Sequence, residues 1–317
     1  MAERVRIWMV EVGDDAAGER LDVYLARLAR PELSRSRIQE LIREGRVTVN
    51  GQSAKPSHRL RPGERVRVEV VPRPTLSAAP EEIPIDVVYE DEDLLVVNKP
   101  RGMVVHPAPG HPSGTLVNAL LAHCRLPAGD DPIRPGIVHR LDKDTTGLVV
   151  VAKNELALRA LQRQLLQREV SRKYLALVVG RPQPSAGTVR APIARHPHQR
   201  KRMAVVDGGR PAVTHYRVVE ELEEYSLLEV ALETGRTHQI RVHMAHMGHP
   251  VVGDTVYGGR RARCRLLGGQ ALHAYQLSFR HPRTGEVMRL TASLPEDFRG
   301  LLSRLRCQAV DRDRQGC

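Results

Sequence analysis

Two short stretches near the front of the chain carry helical periodicity. Arg20–Ala29 (RLDVYLARLA) puts Leu21, Leu25 and Leu28 on one face, and Arg35–Glu44 repeats the stripe with Ile38, Leu41 and Ile42. Ser34 stands where an N-cap accepts otherwise free backbone N–H groups, and Gly45 supplies the C-terminal stop. The period then shortens to that of strands. Val47–Val49 reads as a strand, Asn50-Gly51 as a tight turn, and Arg65–Val71 (RVRVEVV) alternates as a half-buried strand does. The pattern predicts a small unit, an αα-hairpin followed by a β-hairpin. Arg35, Arg37, Arg43 and Arg46 fall on its exposed side, where they form a basic platform suited to phosphate contact.

Pro72–Pro84 (PRPTLSAAPEEIP) has four prolines and no periodicity, which marks a linker. Beyond it, strands are predicted at Ile85–Tyr89, Leu94–Val97, Leu148–Ala152, Tyr174–Val179, Ala212–Val219 and Leu227–Glu233. Helices are predicted at Thr115–Ala122, Glu155–Arg168 and Thr237–Met247. Strands and helices do not alternate regularly, so the pattern favours α+β with a mixed or antiparallel sheet over a doubly wound parallel one. The predicted organisation is a small module at 1–72, a linker at 73–84, a second domain at 85–300 and a tail at 301–317.

Composition adds a partner class. The 317 residues are 41% hydrophobic and 27% charged, which is enough to bury a core, and the net charge is +12. Such a basic chain suits a polyanion, and with 43 Arg against six Lys the planar guanidinium fork dominates, as RNA or DNA phosphate favours. The longest apolar runs, such as Leu148–Ala152, fall far short of a membrane span. Met1–Val10 has charges in place of a signal-peptide core, and Cys124, Cys264, Cys307 and Cys317 show neither zinc nor disulfide spacing. The expectation is a cytoplasmic monomer with no membrane association. One Trp, seven Tyr and two Phe are too few for a binder that stacks bases on an aromatic platform.

Cofactor chemistry finds no foothold. There is no GxxxxGK[ST], no strand-borne GxGxxG and no GxSxG elbow. In the run His238–His249 (HQIRVHMAHMGH), His243 and His246 lie three apart, but HExxH is missing and no carboxylate falls within the run, so neither metal nor cofactor is expected. The densest polar cluster is Ile137–Lys153 (IVHRLDKDTTGLVVVAK), in which Asp142 and Asp144 precede a very apolar strand. Asp144, in DTTG, reads as a turn residue whose carboxylate bonds local backbone. Asp142, between Leu141 and the strand, requires a cationic partner if it is partly buried. Arg195–Arg202 (RHPHQRKR), with Arg200 and Lys201, is a second candidate for contact with an RNA backbone.

HRLDKDTTGLVVVAK resembles the catalytic-loop motif of the RluA/RluD family of pseudouridine synthases. The likeness continues through NKPRGMVVHP (Asn98–Pro107), RKY (Arg172–Tyr174), AVTHYRV (Ala212–Val218), LETGRTHQIRVHMAHMGHPVVGD (Leu232–Asp254) and ALHAYQLSFRHP (Ala271–Pro282). Leu21–Val70 is similar to the small RNA-binding module named after a small-subunit ribosomal protein. The chain is most like the RluD type, which modifies uridines in large-subunit (23S) ribosomal RNA. The resemblance implies a mixed, mostly antiparallel sheet with a central cleft, and neither cofactor nor metal. It implies that Asp142 is the catalytic aspartate, Tyr174 a general base against the target base, and Arg241 the partner of the aspartate. Arg140 is implied to enter the RNA stack where the uridine leaves it.

Those roles suit the chemistry. Isomerising uridine breaks the base–sugar bond, turns the ring and joins a ring carbon to the same sugar carbon, with no redox change. A carboxylate can start this by attacking the sugar or the ring, provided that a cation keeps it ionised in a dry cleft. The base must first be flipped out. Two other readings are a silent RNA-binding assembly factor on the same scaffold and a glycosidase that releases the base.

Overall fold

The computed structural model describes residues 6–29, 33–70, 78–127, 131, 133–199, 202–260, 262–264 and 266–315, with only the backbone for 309–315. The chain divides into two compact units, Met1–Thr75 and Leu76–Cys317.

The first unit contains β1 (Arg6–Glu11), α1 (Leu21–Leu28), α2 (Arg35–Arg43), β2 (Val47–Val49), β3 (Gln52–Ser53) and β4 (Arg65–Val70). Its antiparallel sheet runs β1-β4-β2-β3. Ser34 caps α2, its Oγ accepting the Arg37 N–H at 3.3 Å. Leu21 and Leu25 of α1 meet Ile38 and Leu41 of α2 and Val66 and Val68 of β4 in one core. β1 escaped the periodicity reading because RIWMVE sets four apolar residues side by side, without the alternation of a half-buried strand.

The second unit begins with β5 (Val87–Glu90), β6 (Leu94–Lys99), α3 (Leu116–His123), β7 (Thr146–Ala152), α4 (Glu155–Leu166) and β8 (Ser171–Val179). It continues with β9 (Ala186–Arg190), β10 (Ile193–Arg195), β11 (Met203–Val205), β12 (Val213–Leu222) and β13 (Tyr225–Leu232). Then follow α5 (Gln239–His246), β14 (Leu272–Arg280), β15 (Val287–Thr291) and α6 (Glu296–Gln315). A nine-stranded sheet runs β5-β6-β7-β14-β8-β13-β12-β9, with β15 paired to β14. Among the described residues only β7 and β14 pair in parallel, so the unit is α+β with a mixed, mostly antiparallel sheet.

The apolar run of β7 reflects burial on both faces. Val149 and Val151 join Leu116, Ile240 and Phe298, from α3, α5 and α6, in one core. Leu148 and Val150 join Leu158 and Leu161 of α4 in the other. Residues 301–317, read as a tail, largely belong to α6, whose Leu301 and Leu302 are buried. In the Pro-rich stretch, Glu81 N–H donates to the Asn118 carbonyl at 2.9 Å, and Asn118 Nδ2 donates to the Ala79 carbonyl at 2.7 Å. That end of the stretch is therefore docked on α3.

At the mouth of β7 the sheet demands a glycine. Gly147 has φ +112°, and a Cβ there would stand 2.3 Å from the Ala274 carbonyl oxygen of β14. The close β7–β14 approach fixes where the loop carrying Asp142 enters the sheet.

Candidate active site

Asp142 lines a cleft of about 480 Å³, shared with Arg140 from the same loop, Arg172 and Tyr174 from β8, and the Thr234–Arg241 segment that leads into α5. Arg241 Nη1 donates to Asp142 Oδ2 at 2.9 Å. The opposite edge of the guanidinium is gripped by Asp254, with Nε to Oδ2 at 2.7 Å and Nη2 to Oδ1 at 3.0 Å. The N–H groups of Val256 and Tyr257 also donate to Asp254 Oδ1, at 2.9 and 3.0 Å. Burial pushes the Asp254 carboxyl up, but Arg241 and these N–H groups hold it below the usual carboxylate range. Burial likewise works against the Arg241 cation, and the two carboxylates reverse it, leaving the pKa above its ordinary value. Arg241 is thus a fixed charge, clamped from behind, with one N–H edge presented to Asp142.

Tyr257 roofs this pair, its ring centroid 5.1 Å from the Arg241 guanidinium carbon. Its hydroxyl accepts the Met203 N–H at 2.9 Å and lies 2.8 Å from His238 Nδ1, the one acceptor among its described partners. That directs the His238 proton to Nε2, which faces Asp142 Oδ1 at 3.9 Å. Burial lowers the His238 pKa, so the ring is neutral at neutral pH. His238 holds φ 56°, a left-handed conformation uncommon outside glycine, just before α5. Tyr174 is buried to 5% exposure, and burial raises its phenol above the ordinary value, with Arg172 pulling the other way.

The Asp142 loop is tied down from below. Lys99, at the end of β6, is fully buried and donates to the carbonyls of Pro100, Met103 and Lys143 at 2.8, 2.9 and 3.0 Å. Burial drives its ammonium down to about 7, while three carbonyls in hydrogen-bond range favour keeping all three protons. Arg101 Nη1 holds the Asp144 carbonyl at 2.6 Å. The turn itself closes through Thr145 N–H to the Asp142 carbonyl at 3.1 Å. Asp144 differs from the turn role read for it. Its carboxylate accepts no hydrogen bond among the described residues and instead acts on the Lys99 ammonium through space. Lys99→Met should leave three part-buried carbonyls without this donor and lower unfolding free energy by roughly 2 kcal/mol or more, measured by denaturant titration. An unchanged midpoint would mean that the loop is held by other interactions.

The remaining candidates fall as follows. Arg140 is exposed at the cleft, beside Asp142. In the front unit, Arg35 pairs with the buried Asp22 at 2.9 Å, Arg37 with Glu40 at 2.9 Å and Arg46 with Glu69 at 2.5 Å. Among the described residues Arg43 reaches only the side-chain Oε1 of Gln39, at 3.5 Å, and no carboxylate. Arg200 and Lys201 lie outside the described residues. His243 is buried with both ring nitrogens engaged, by the Thr214 hydroxyl at 2.8 Å and the Ala191 carbonyl at 3.0 Å, while His246 is exposed. Elsewhere Asp91, Asp93 and His281 bring one ligand-type atom each within 4.8 Å of one another. Arg283 already occupies Asp93, at 2.7 and 2.6 Å, and His281 bonds Asp91 at 2.8 Å. Sequence reasoning missed Asp254, Tyr257, His238 and Lys99 as parts of the site. The available signals were a lone carboxylate after the apolar PVVG and a lone ammonium ending the apolar LLVVN.

The profile of the RNA pseudouridylate synthase family matches residues 93–246, and that of the S4 domain matches residues 19–66. The chain is 51% identical over 306 residues to the ribosomal large subunit pseudouridine synthase D of Xanthomonas campestris, covering 93% of this chain and 91% of that one. It is 47% identical over 323 residues to the protein of the same name from Salmonella typhimurium, covering 98% of each. Among solved structures, human RNA pseudouridylate synthase domain containing 4 superposes with a TM-score of 0.55 at 28% identity, over 70% of this chain and 93% of that one.

Proposed function

Because this chain belongs to the RNA pseudouridylate synthase family, whose members are isomerases, we propose that Asp142 is its nucleophile and large-subunit ribosomal RNA its substrate. The observation that carries the reading is the Asp142 carboxylate in the cleft, held at 2.9 Å by an arginine that cannot swing away because Asp254 grips its other edge. The cation compensates the charge on one carboxylate oxygen, and the second oxygen is left to attack. Attack at the sugar carbon or at the ring uses the same oxygen. On the sugar route the Asp142–C1′ bond forms as N1–C1′ breaks, the freed uracil anion turns within the cleft, and C5 bonds C1′ as the Asp142–C1′ bond breaks. On the ring route an Asp142–C6 bond forms before the glycosidic bond breaks, and it breaks again after C5 has bonded C1′. In both cases C5 loses a proton, N1 gains one, and the carboxylate is returned free. Tyr174 moves the C5 proton. Arg140, exposed at the rim, fills the gap left in the RNA stack by the flipped base.

Relatives named for the large ribosomal subunit support the substrate class. Among the described residues no helix is long and apolar enough to cross a membrane. The reading places the protein in the cytoplasm as a monomer, with its RNA. Pseudouridine maps of ribosomal RNA from cells lacking the protein test it. Defined uridines of the large subunit should lose the modification and regain it with the wild-type gene; an unchanged map would contradict the substrate assignment.

The front unit supplies grip. Removing Met1–Pro72 leaves every cleft residue in place and deletes Arg35, Arg37, Arg43 and Arg46. The log–log salt slope of RNA binding should become shallower by roughly one unit for each phosphate that these arginines neutralise. Activity should fall chiefly at subsaturating RNA. The same slope in the truncated protein would make these arginines a solvated helix face.

A further inference from the structure

Among the described residues six arginines line the cleft, Arg134, Arg140, Arg168, Arg172, Arg236 and Arg241, against two carboxylates, Asp142 and Glu233. Both carboxylates are engaged. Arg241 holds Asp142, and Glu233 accepts from Arg168 at 2.9 Å and bonds His215 at 2.7 Å. Arg172 has no such partner. It is half-buried near the start of β8, its Nε is closed off, and no acceptor or carboxylate reaches it among the described residues. His139, half-buried beside it, accepts the Val150 N–H at Nε2 (3.0 Å), so its proton sits on Nδ1, which finds no acceptor among the described residues. Arg172 Nε and His139 Nδ1 are thus two donors side by side, unpartnered among the described residues.

Gly235 belongs to the same feature. Its backbone is not left-handed, so conformation does not demand a glycine, but a Cβ there would stand 2.8 Å from Arg172 Nη1. The guanidinium rests where any other residue would put a side chain. Arg236, next in sequence, donates to the Pro211 carbonyl at 3.1 Å, and after burial the nearby cations Arg210 and Arg168 depress its pKa. Of these cations Arg168 is paired with Glu233, while Arg172 and Arg236 reach no carboxylate among the described residues.

We propose that Arg172, seated on Gly235 and flanked by Arg236, is the subsite for a backbone phosphodiester of the RNA adjoining the flipped uridine. Uracil is neutral and leaves such charge uncompensated. A phosphodiester carries one negative charge per nucleotide and presents two oxygens to the guanidinium fork. The inference rests on reading the cleft as the site of uridine isomerisation. A competing role for Arg172 is to act on the phenol of Tyr174, two residues along on the same strand face.

The test uses the full chain and a large-subunit ribosomal RNA fragment that the wild type modifies. Affinity is measured across a potassium chloride series, together with the single-turnover rate at saturating RNA. Arg172→Gln should weaken binding on the order of tenfold, as expected when one charge-assisted hydrogen bond is removed. It should also flatten the salt slope by about one unit, with a smaller effect on the single-turnover rate. Arg172→Lys should restore the slope but only part of the affinity, because a point charge replaces the fork. Gly235→Ala should weaken binding by displacing the guanidinium, and should add nothing in the Arg172→Gln background. An unchanged slope in Arg172→Gln overturns the proposal, as does a defect confined to the single-turnover rate, or a Gly235→Ala effect that adds fully to Arg172→Gln. Should Arg172→Gln fail to fold by thermal melting, Arg172→Lys and Gly235→Ala decide by the same readouts. Activity retained by Asp142→Asn would instead sink the reading of the site itself, whatever Arg172 does.

Discussion

Asp142→Asn should abolish pseudouridine formation while leaving RNA affinity within a few fold of wild type. The amide keeps the shape and can still meet Arg241, but its oxygen is no nucleophile. Loss of a covalent nucleophile removes the pathway itself, so the rate should fall by at least about a thousandfold. Binding should survive because most of the affinity for RNA resides in phosphate contacts. Asp144→Asn is the control from the same loop, one carboxylate away. Asp144 touches no cleft group and acts on Lys99, so substantial turnover should remain. A variant of Asp142 that keeps more than about a tenth of wild-type turnover would remove that residue from the mechanism.

Tyr174→Phe should produce the second large loss, roughly a hundredfold to ten-thousandfold in single-turnover rate, with folding and RNA affinity retained. The ring still packs in the cleft, and only the hydroxyl is gone. Because burial holds the phenol above its ordinary pKa, tyrosinate is not the resting form at neutral pH. On the mechanism proposed above, Tyr174 works as a relay, its oxygen accepting the C5 proton as its own passes to water in the cleft. The single-turnover rate should then vary little across the neutral range. A climb of about tenfold per pH unit would mark tyrosinate as the working form, and an unchanged rate in the Phe variant would reduce Tyr174 to packing.

Much of the fold is legible wherever one face of an element is buried and the other is wet. α1, α2 and α4 announce themselves through their apolar stripes, and β7 through an unbroken apolar run covered on both faces. β14 does not, because polar residues sit inside it and are satisfied there. His273 bonds Thr146 at 2.8 Å, and Tyr275 bonds Glu229. α6 buries Phe298, Leu301 and Leu302 near its start and then turns strongly charged, so its periodicity fades into what reads as a tail. The site is harder to read. Asp142 and Arg241 are 99 residues apart in sequence, and no local pattern couples them. The resemblance to a known family suggested that pair. It did not suggest the Asp254 clamp, the Tyr257 roof or the unpaired Arg172, which exist only once α5, β8 and the loop after α5 are folded together.

The account stands or falls on what becomes of the uridine, so the most direct measurement is a nucleoside balance. Large-subunit ribosomal RNA from cells lacking the protein is incubated with the full chain, digested, and resolved by chromatography with mass detection. One pseudouridine should appear for each uridine consumed, with no free uracil and no abasic ribose, and the Asp142→Asn protein should change nothing. Free uracil released without pseudouridine would make the same cleft a glycosidase, and pseudouridine formed by the Asn variant would place the nucleophile elsewhere.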